Sequence, residues 1–225
     1  MRVALIPMNV KPNDFEYNWR IFKNRFIEAI KENADFLVYP EYCLTGFTEW
    51  DFSKAKLYNL IVSQVSRLAN RYGVYMVFGL LEPCNESAYN TALVIDRNGR
   101  IILKHRKIQE PIKFCQGSSF NVAVTEFGRI GVIICEDLYN DLVKEMILRN
   151  KPDYLFVPMD YSPEQLDLKE EIRIMSSRIA ELGVKTFIVN TYKHHGSFGG
   201  AWVFDERGNL IAFSKEDQLL IMDVS

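Results

Sequence analysis

Apolar and polar positions along the chain alternate between strand-like and helix-like periods, and the order of those changes predicts its elements. Val3 to Met8 is a short apolar run, read as a first strand. Phe15, Trp19, Phe22, Phe26 and Ile30 then recur three or four residues apart, on one helical face. Asn13 with Glu16 three residues on reads as a capping box at its start. Phe36 to Tyr39 forms a buried strand stopped by Pro40. A second helix carries Leu57, Ile61, Val65, Leu68 and Tyr72 and ends at Gly73, and Val74 to Phe78 follows as a strand. Ala92 to Ile95 and Ile101 to Lys104 flank the turn Asp96-Arg97-Asn98-Gly99 as a hairpin.

The same order then repeats with similar residues. Arg2-Val3-Ala4-Leu5-Ile6 resembles Arg129-Ile130-Gly131-Val132-Ile133, and Asp35 to Pro40 resembles Asp153 to Pro158. Gly73-Val74 matches Gly183-Val184, and the hairpin from Ala92 to Ile102 matches the one from Ala201 to Ile211. The hairpin match preserves both turn and side-chain parity, which favours a true pseudo-repeat over chance similarity of apolar strands. The pattern predicts an α/β fold of two β-α-β-α-β-β halves. Half-sheets with helices on one face only should pack strand face to strand face, as a four-layer α-β-β-α sandwich forming a single domain over residues 1–225.

Composition narrows the partners. With 27 basic against 29 acidic residues, a formal net charge of -2 and 48% apolar content, a folded soluble chain is expected. Nothing in this balance argues for nucleic acid. The apolar runs fall short of the ~20 residues of a membrane-spanning helix, so no membrane partner is expected. The N-terminal run lacks a small-residue cleavage site and reads as a strand rather than a signal peptide. Cys43, Cys84, Cys115 and Cys135 are unevenly spaced with no C-x-x-C pair, so free thiols in the cytoplasm are expected, one of them reactive. His105, His194 and His195 lack metal-ligand spacing, and no metal is expected.

Ligands in α/β sheets gather beyond the carboxyl ends of strands. Three such positions carry reactive groups: Glu41 after Pro40, Lys107 past the hairpin strand, and Cys135 after Ile133-Ile134. In the repeat, Met8 stands where the second half has Cys135, and Met159 where the first has Glu41, which predicts one asymmetric site. Glu136-Asp137 follow Cys135 at a strand-to-helix elbow, where backbone N–H groups and a helix dipole would favour a thiolate. Cys43, Cys84 and Cys115 read as small packing residues.

Pro40-Glu41-Tyr42-Cys43-Leu44-Thr45-Gly46-Phe47, His105-Arg106-Lys107-Ile108 and Ile133-Ile134-Cys135-Glu136-Asp137-Leu138 together resemble the three signature segments of the nitrilase superfamily of carbon-nitrogen hydrolases, in the right order. Tyr89-Asn90-Thr91-Ala92, Val157-Pro158, Arg178, Asn190 and Gly199-Gly200 extend the resemblance over nearly the whole chain. Gln116-Gly117, Ala201 and Leu138 to Asp141 depart from the usual pattern, while leaving the three reactive residues untouched.

The resemblance implies the four-layer sandwich and a hydrolase acting on a small linear amide or N-carbamoyl compound, with ammonia released through a cysteine thioester. It implies Cys135 as nucleophile, Glu41 as general base, and Lys107 with the backbone N–H of Glu136 as oxyanion donors. Glu110, seven residues before Gly117, is implied as a second glutamate that positions substrate and lysine. Asp160 and Tyr161 would line the pocket by analogy. No cofactor is required, and a homodimer or higher homo-oligomer is expected. A nitrilase acting on a small nitrile is the alternative within the same chemistry. A non-catalytic binding relative or a thiol redox protein is the alternative from another class.

Overall fold

A computed structural model describes residues 1–48, 51–111, 113–161, 167–192 and 199–224. Its first half runs β1 (Arg2–Leu5), β2 (Met8–Asn9), α1 (Phe15–Lys31), β3 (Phe36–Val38), α2 (Tyr58–Tyr72), β4 (Tyr75–Cys84), β5 (Ser87–Ile95) and β6 (Ile101–Arg106). The second runs β7 (Val122–Thr125), β8 (Gly128–Val132), α3 (Asp141–Asn150), β9 (Tyr154–Met159), α4 (Leu168–Leu182), β10 (Lys185–Tyr192), β11 (Gly200–Phe204), β12 (Leu210–Lys215) and β13 (Leu220–Asp223). One sheet has the order β13-β1-β3-β4-β5-β6, and the other β12-β11-β10-β9-β8-β7. In each half three parallel strands lead into an antiparallel pair, so the repeat is present in the topology.

The matched residues make matched contacts. Asp35 accepts the Arg2 N–H at 2.8 Å and returns its own N–H to Arg2 O at 2.7 Å; Asp153 does the same with Arg129 at 2.7 and 2.7 Å. Gly73 and Gly183 end α2 and α4 with φ of 65° and 64°, the left-handed conformation glycine adopts without steric cost. In the hairpin turns Asp96 and Asp205 accept equivalent backbone N–H groups, from Asn98 and Arg100 in one and Arg207 and Asn209 in the other.

Strand parity sorts the layers. Val3, Leu5, Phe36, Val38 and Val77 pack with Val132, Phe156 and Phe187 between the sheets. Their intervening neighbours Ala4, Ile6, Leu37, Tyr39 and Met76 pack against Phe22, Phe26, Ile61 and Val65 of α1 and α2. The Phe36 and Phe156 rings meet across the sheets at 5.4 Å. Period-two alternation with both faces apolar thus builds the α-β-β-α stack. No helix among the described residues is long and apolar enough to cross a membrane.

Several details differ from the expectation. The helix cap is Asp14, whose carboxylate accepts the Tyr17 N–H at 3.1 Å; Asn13 instead adopts φ 55° and reaches Thr48 and Asp51. Strands β4 and β5 extend to Cys84 and from Ser87, forming one long hairpin. Strand β2 crosses to pair with β10 of the other sheet, and β13 closes onto β1. These pairings join residues distant in sequence, where local periodicity carries no signal.

Candidate active site

Glu41 lies just beyond β3, where the chain is pinned against β4. Gly79 donates to Pro40 O at 3.2 Å, Cys43 donates to Gly79 O at 3.1 Å, and a Cβ on Gly79 would come within 2.8 Å of Glu41 Cα. Only glycine leaves room for that approach. The Glu41 side chain is buried, the residue being 2% exposed. Its Oε1 accepts Asn90 Nδ2 at 2.6 Å, and its Oε2 accepts the Asp160 N–H at 2.7 Å. Burial raises its pKa to about 7 against the opposing pull of Lys107.

Lys107 follows β6 and is held by its backbone: its N–H donates to Asn90 O and its carbonyl accepts from Gly117 N, both at 2.9 Å. Its ammonium, on a residue 6% exposed, lies 3.6 Å from Glu41 Oε1, 3.3 Å from Glu110 Oε1 and 3.4 Å from Glu136 Oε2. Burial alone would favour the neutral amine. The charges of Glu41, Cys135, Glu110 and Glu136 outweigh it and hold the pKa well above the ordinary lysine value.

Cys135 opens a 3₁₀ turn, Cys135–Tyr139, that precedes α3 by one residue. Its φ of 49° is unusual for a non-glycine residue. The buried thiol shares the electrostatic environment of Glu41 and Lys107. Burial and then the Glu41 charge push its pKa well above the usual value, with Lys107 opposing. The expected thiolate at a helix N-terminus is therefore corrected: α3 begins only at Asp141, and desolvation dominates at the thiol. A thiol beside a carboxylate titrating near neutrality is the arrangement present.

Glu110 joins this cluster. Its Oε1 accepts the second Asn90 Nδ2 hydrogen bond at 2.6 Å, so Asn90 spans Glu41 and Glu110 while Lys107 lies near both. Burial raises the Glu110 pKa, opposed by Lys107. The Glu136 side chain is 52% exposed, at the rim. Asp160 contributes its backbone N–H to Glu41, and its carboxylate accepts from the Thr191 hydroxyl. Tyr161 exchanges backbone hydrogen bonds with the Asn190 side chain, both 2.8 Å, and its hydroxyl donates to Glu171 Oε1 at 3.1 Å.

Asp137 had no assigned role in the sequence. It is wholly buried and ties the Lys107 segment to the Cys135 turn. Oδ1 accepts the N–H groups of Ile108 at 3.0 Å and Gln109 at 3.1 Å; Oδ2 accepts that of Ile134 at 3.3 Å and sits 2.7 Å from His105 Nε2. The acid following Cys135-Glu136 was a visible signal, but its partners His105, Ile108 and Gln109 become neighbours only when the two sheets meet. Asn90 was likewise seen only as part of a motif. Arg178 supports the same turn, donating to Leu138 O at 2.8 Å.

The cysteine expectation needs a second correction. Cys84 and Cys115 form a disulfide, leaving Cys43 and Cys135 as free thiols. The β4-β5 hairpin and the segment after Glu110 run side by side, with Cys115 N donating to Ala88 O at 3.0 Å, so residues 31 apart in sequence come together. The cross-link staples the stretch that carries Glu110. Closing that loop of 31 residues is worth about 3.7 kcal/mol in chain-entropy terms. Cys115→Ser is expected to lower the thermal midpoint by several degrees and to reduce turnover, read by thermal unfolding and by a kinetic assay. An unchanged midpoint would show that the bond contributes nothing. Among the described residues no group of three or more His, Cys, Asp or Glu could hold a metal ion; His194 and His195 lie outside those residues.

The model of the family described as carbon-nitrogen hydrolase matches residues 2–225. The chain belongs to the carbon-nitrogen hydrolase family. An omega-amidase of Saccharomyces cerevisiae is 23% identical to this hydrolase over 98% of its chain and 85% of the relative. A citrullinase of Francisella tularensis is 23% identical over 94% and 84%. Among solved structures, the NitN amidase from Neterenkonia sp. AN1 matches with a TM-score of 0.89 at 21% identity, covering 100% of this chain and 93% of the other. A mutant amidase from Nesterenkonia sp. AN1, with the acetamide moiety of fluoroacetamide added covalently at its active site cysteine, matches at 0.88 and 20% identity, covering 100% and 90%. These structures share the two-sheet fold. The hydrolase is of the amidase and nitrilase type.

Proposed function

We propose that this carbon-nitrogen hydrolase cleaves a small linear amide or N-carbamoyl compound through a thioester on Cys135, releasing ammonia. The observation that carries the reading is the buried meeting of a thiol, a carboxylate with a pKa of about 7 and a lysine held charged. Glu41 takes the thiol proton as sulfur attacks the carbonyl carbon. The oxyanion is held by the Lys107 ammonium and the Glu136 N–H. As the carbon-nitrogen bond breaks, Glu41 delivers its proton to the departing nitrogen, and ammonia leaves. Water, deprotonated by Glu41, attacks the thioester, and the proton returns to the Cys135 sulfur with release of the acid. Asn90 and Glu110 position the base and the ammonium throughout.

The base must be ionised to accept the thiol proton. Activity against pH is therefore expected to rise through about 7 and to fall away below it as Glu41 protonates. Glu41→Gln should remove that limb and lower kcat/KM by about 10²–10⁴-fold. The opposite sign applies to stability. A carboxylate whose folded pKa is raised from 4.5 to about 7 makes its folding contribution below that window and loses it as pH rises through it. The deciding experiment measures ammonia release from amides, ureido acids and nitriles, with mass spectrometry of the intact protein. Nitrile-only turnover would select a nitrilase. No turnover and no adduct on Cys135 with any of them would overturn the reading.

A further inference from the structure

Glu171 on α4 is a buried carboxylate that the proposed reaction does not use. It is 2% exposed, and among the described residues it has no ion-pair partner within 4.0 Å. Its only described side-chain hydrogen bond comes from the neutral Tyr161 hydroxyl, at 3.1 Å. Burying a carboxylate without a cation is strongly disfavoured. Close by, the Tyr139 hydroxyl is buried with no hydrogen-bond partner among the described residues.

These groups belong to the neighbourhood of Cys135. Tyr139 closes the turn that Cys135 opens, and Tyr161 follows Asp160, whose N–H holds Glu41. Both hydroxyls have raised pKa values, through burial first and then the charge of Glu171, with Cys135 contributing to each. The two tyrosines are thus within electrostatic reach of both the nucleophile and Glu171. The local charge is acidic. Lys107, the cation of this cluster, is already shared by Glu41, Glu110 and Glu136, and Glu136 stands at the rim.

We propose that Glu171, with the hydroxyls of Tyr161 and Tyr139, receives a cationic group at the far end of the substrate, so that the hydrolase acts on linear amides with an ammonium tail. This rests on the amide-hydrolase reading and adds the substrate class. The ammonium would supply the positive partner that Glu171 lacks among the described residues, and a donor for the Tyr139 oxygen. A carboxylate tail would meet like charge in a desolvated site, which disfavours it.

The test compares linear five-carbon amides ending in methyl, ammonium or carboxylate, with wild type and Glu171→Gln. Wild type should prefer the ammonium-tailed amide over the carboxylate-tailed one by at least about tenfold in kcat/KM. Glu171→Gln should lose most of that preference, chiefly through a higher KM for the ammonium-tailed amide. Wild-type preference for the carboxylate tail, or a preference unchanged in a folded Glu171→Gln, overturns the proposal. Thermal stabilisation of Cys135→Ala by each amide reads tail binding without turnover, so a failed reaction and a failed tail site give different results. Stronger stabilisation by the carboxylate-tailed amide, or equal stabilisation by all three, counts against the proposal.

Discussion

Cys135→Ala is expected to leave no measurable ammonia release from any amide that the wild type hydrolyses, while the protein stays folded. In the proposed reaction every covalent step passes through that sulfur, and no other described thiol can replace it. Cys43 is buried, with its sulfur 3.5 Å from Gly79 O, and Cys84 and Cys115 are bonded to each other. Removing Sγ from Cys135 deletes one atom from a tightly packed turn, and alanine meets the same cost at φ 49° that cysteine already bears. Circular dichroism should therefore match the wild type. Cys135→Ser should be equally inactive, because a carboxylate with a pKa near 7 is far too weak a base for a buried hydroxyl. Ammonia release from Cys135→Ala within tenfold of the wild-type rate would remove the cysteine from the mechanism.

Asp137→Ala is expected to damage activity and stability together. The substitution strands the buried backbone N–H groups of Ile108 and Ile134, frees the half-buried one of Gln109, and takes the partner from His105. Breaking a buried charged network of this kind costs about 3–5 kcal/mol. In a chain of this size that is a fall of roughly 10 °C in the thermal midpoint. Activity should fall further than stability explains, since the backbone just after Lys107 and the residue just before Cys135 are both anchored on this one carboxylate. Asp137→Asn keeps the shape and one acceptor oxygen, so it should fall between the two. Thermal unfolding and kcat on the folded fraction separate the effects. A midpoint within about 1 °C of wild type would show that Asp137 is not a strut.

The repeat was legible in sequence because it is written in local terms. Phe22 and Phe26 fall on one helical face, Gly73 and Gly183 stop their helices, and Asp96 and Asp205 shape their turns through residues two and four positions away. Glu41, Lys107 and Cys135 were legible for a related reason: each stands at the end of a recognisable strand, within a short motif. The Cys84-Cys115 bond was not, since its partners are set by how β4, β5 and the Glu110 segment run together. Asp14 took the cap from Asn13 because Asn13 is drawn away to Thr48 and Asp51.

Sequence alone thus determined the α/β class, the two halves, the sandwich and the positions of Glu41, Lys107 and Cys135 at strand ends, all of which follow from period, turn chemistry and motif. Only the tertiary structure decided the protonation behaviour of the site. Burial raises the Cys135 thiol and brings Glu41 to about 7, while the clustered carboxylates keep Lys107 charged. It also decided that Asp137 braces the site and that Glu171 lies buried without a cation among the described residues. The physical reason is common to all of these. Desolvation and charge interaction depend on what surrounds a group in space, and for these residues the surroundings come from both sheets and from segments far apart in the chain.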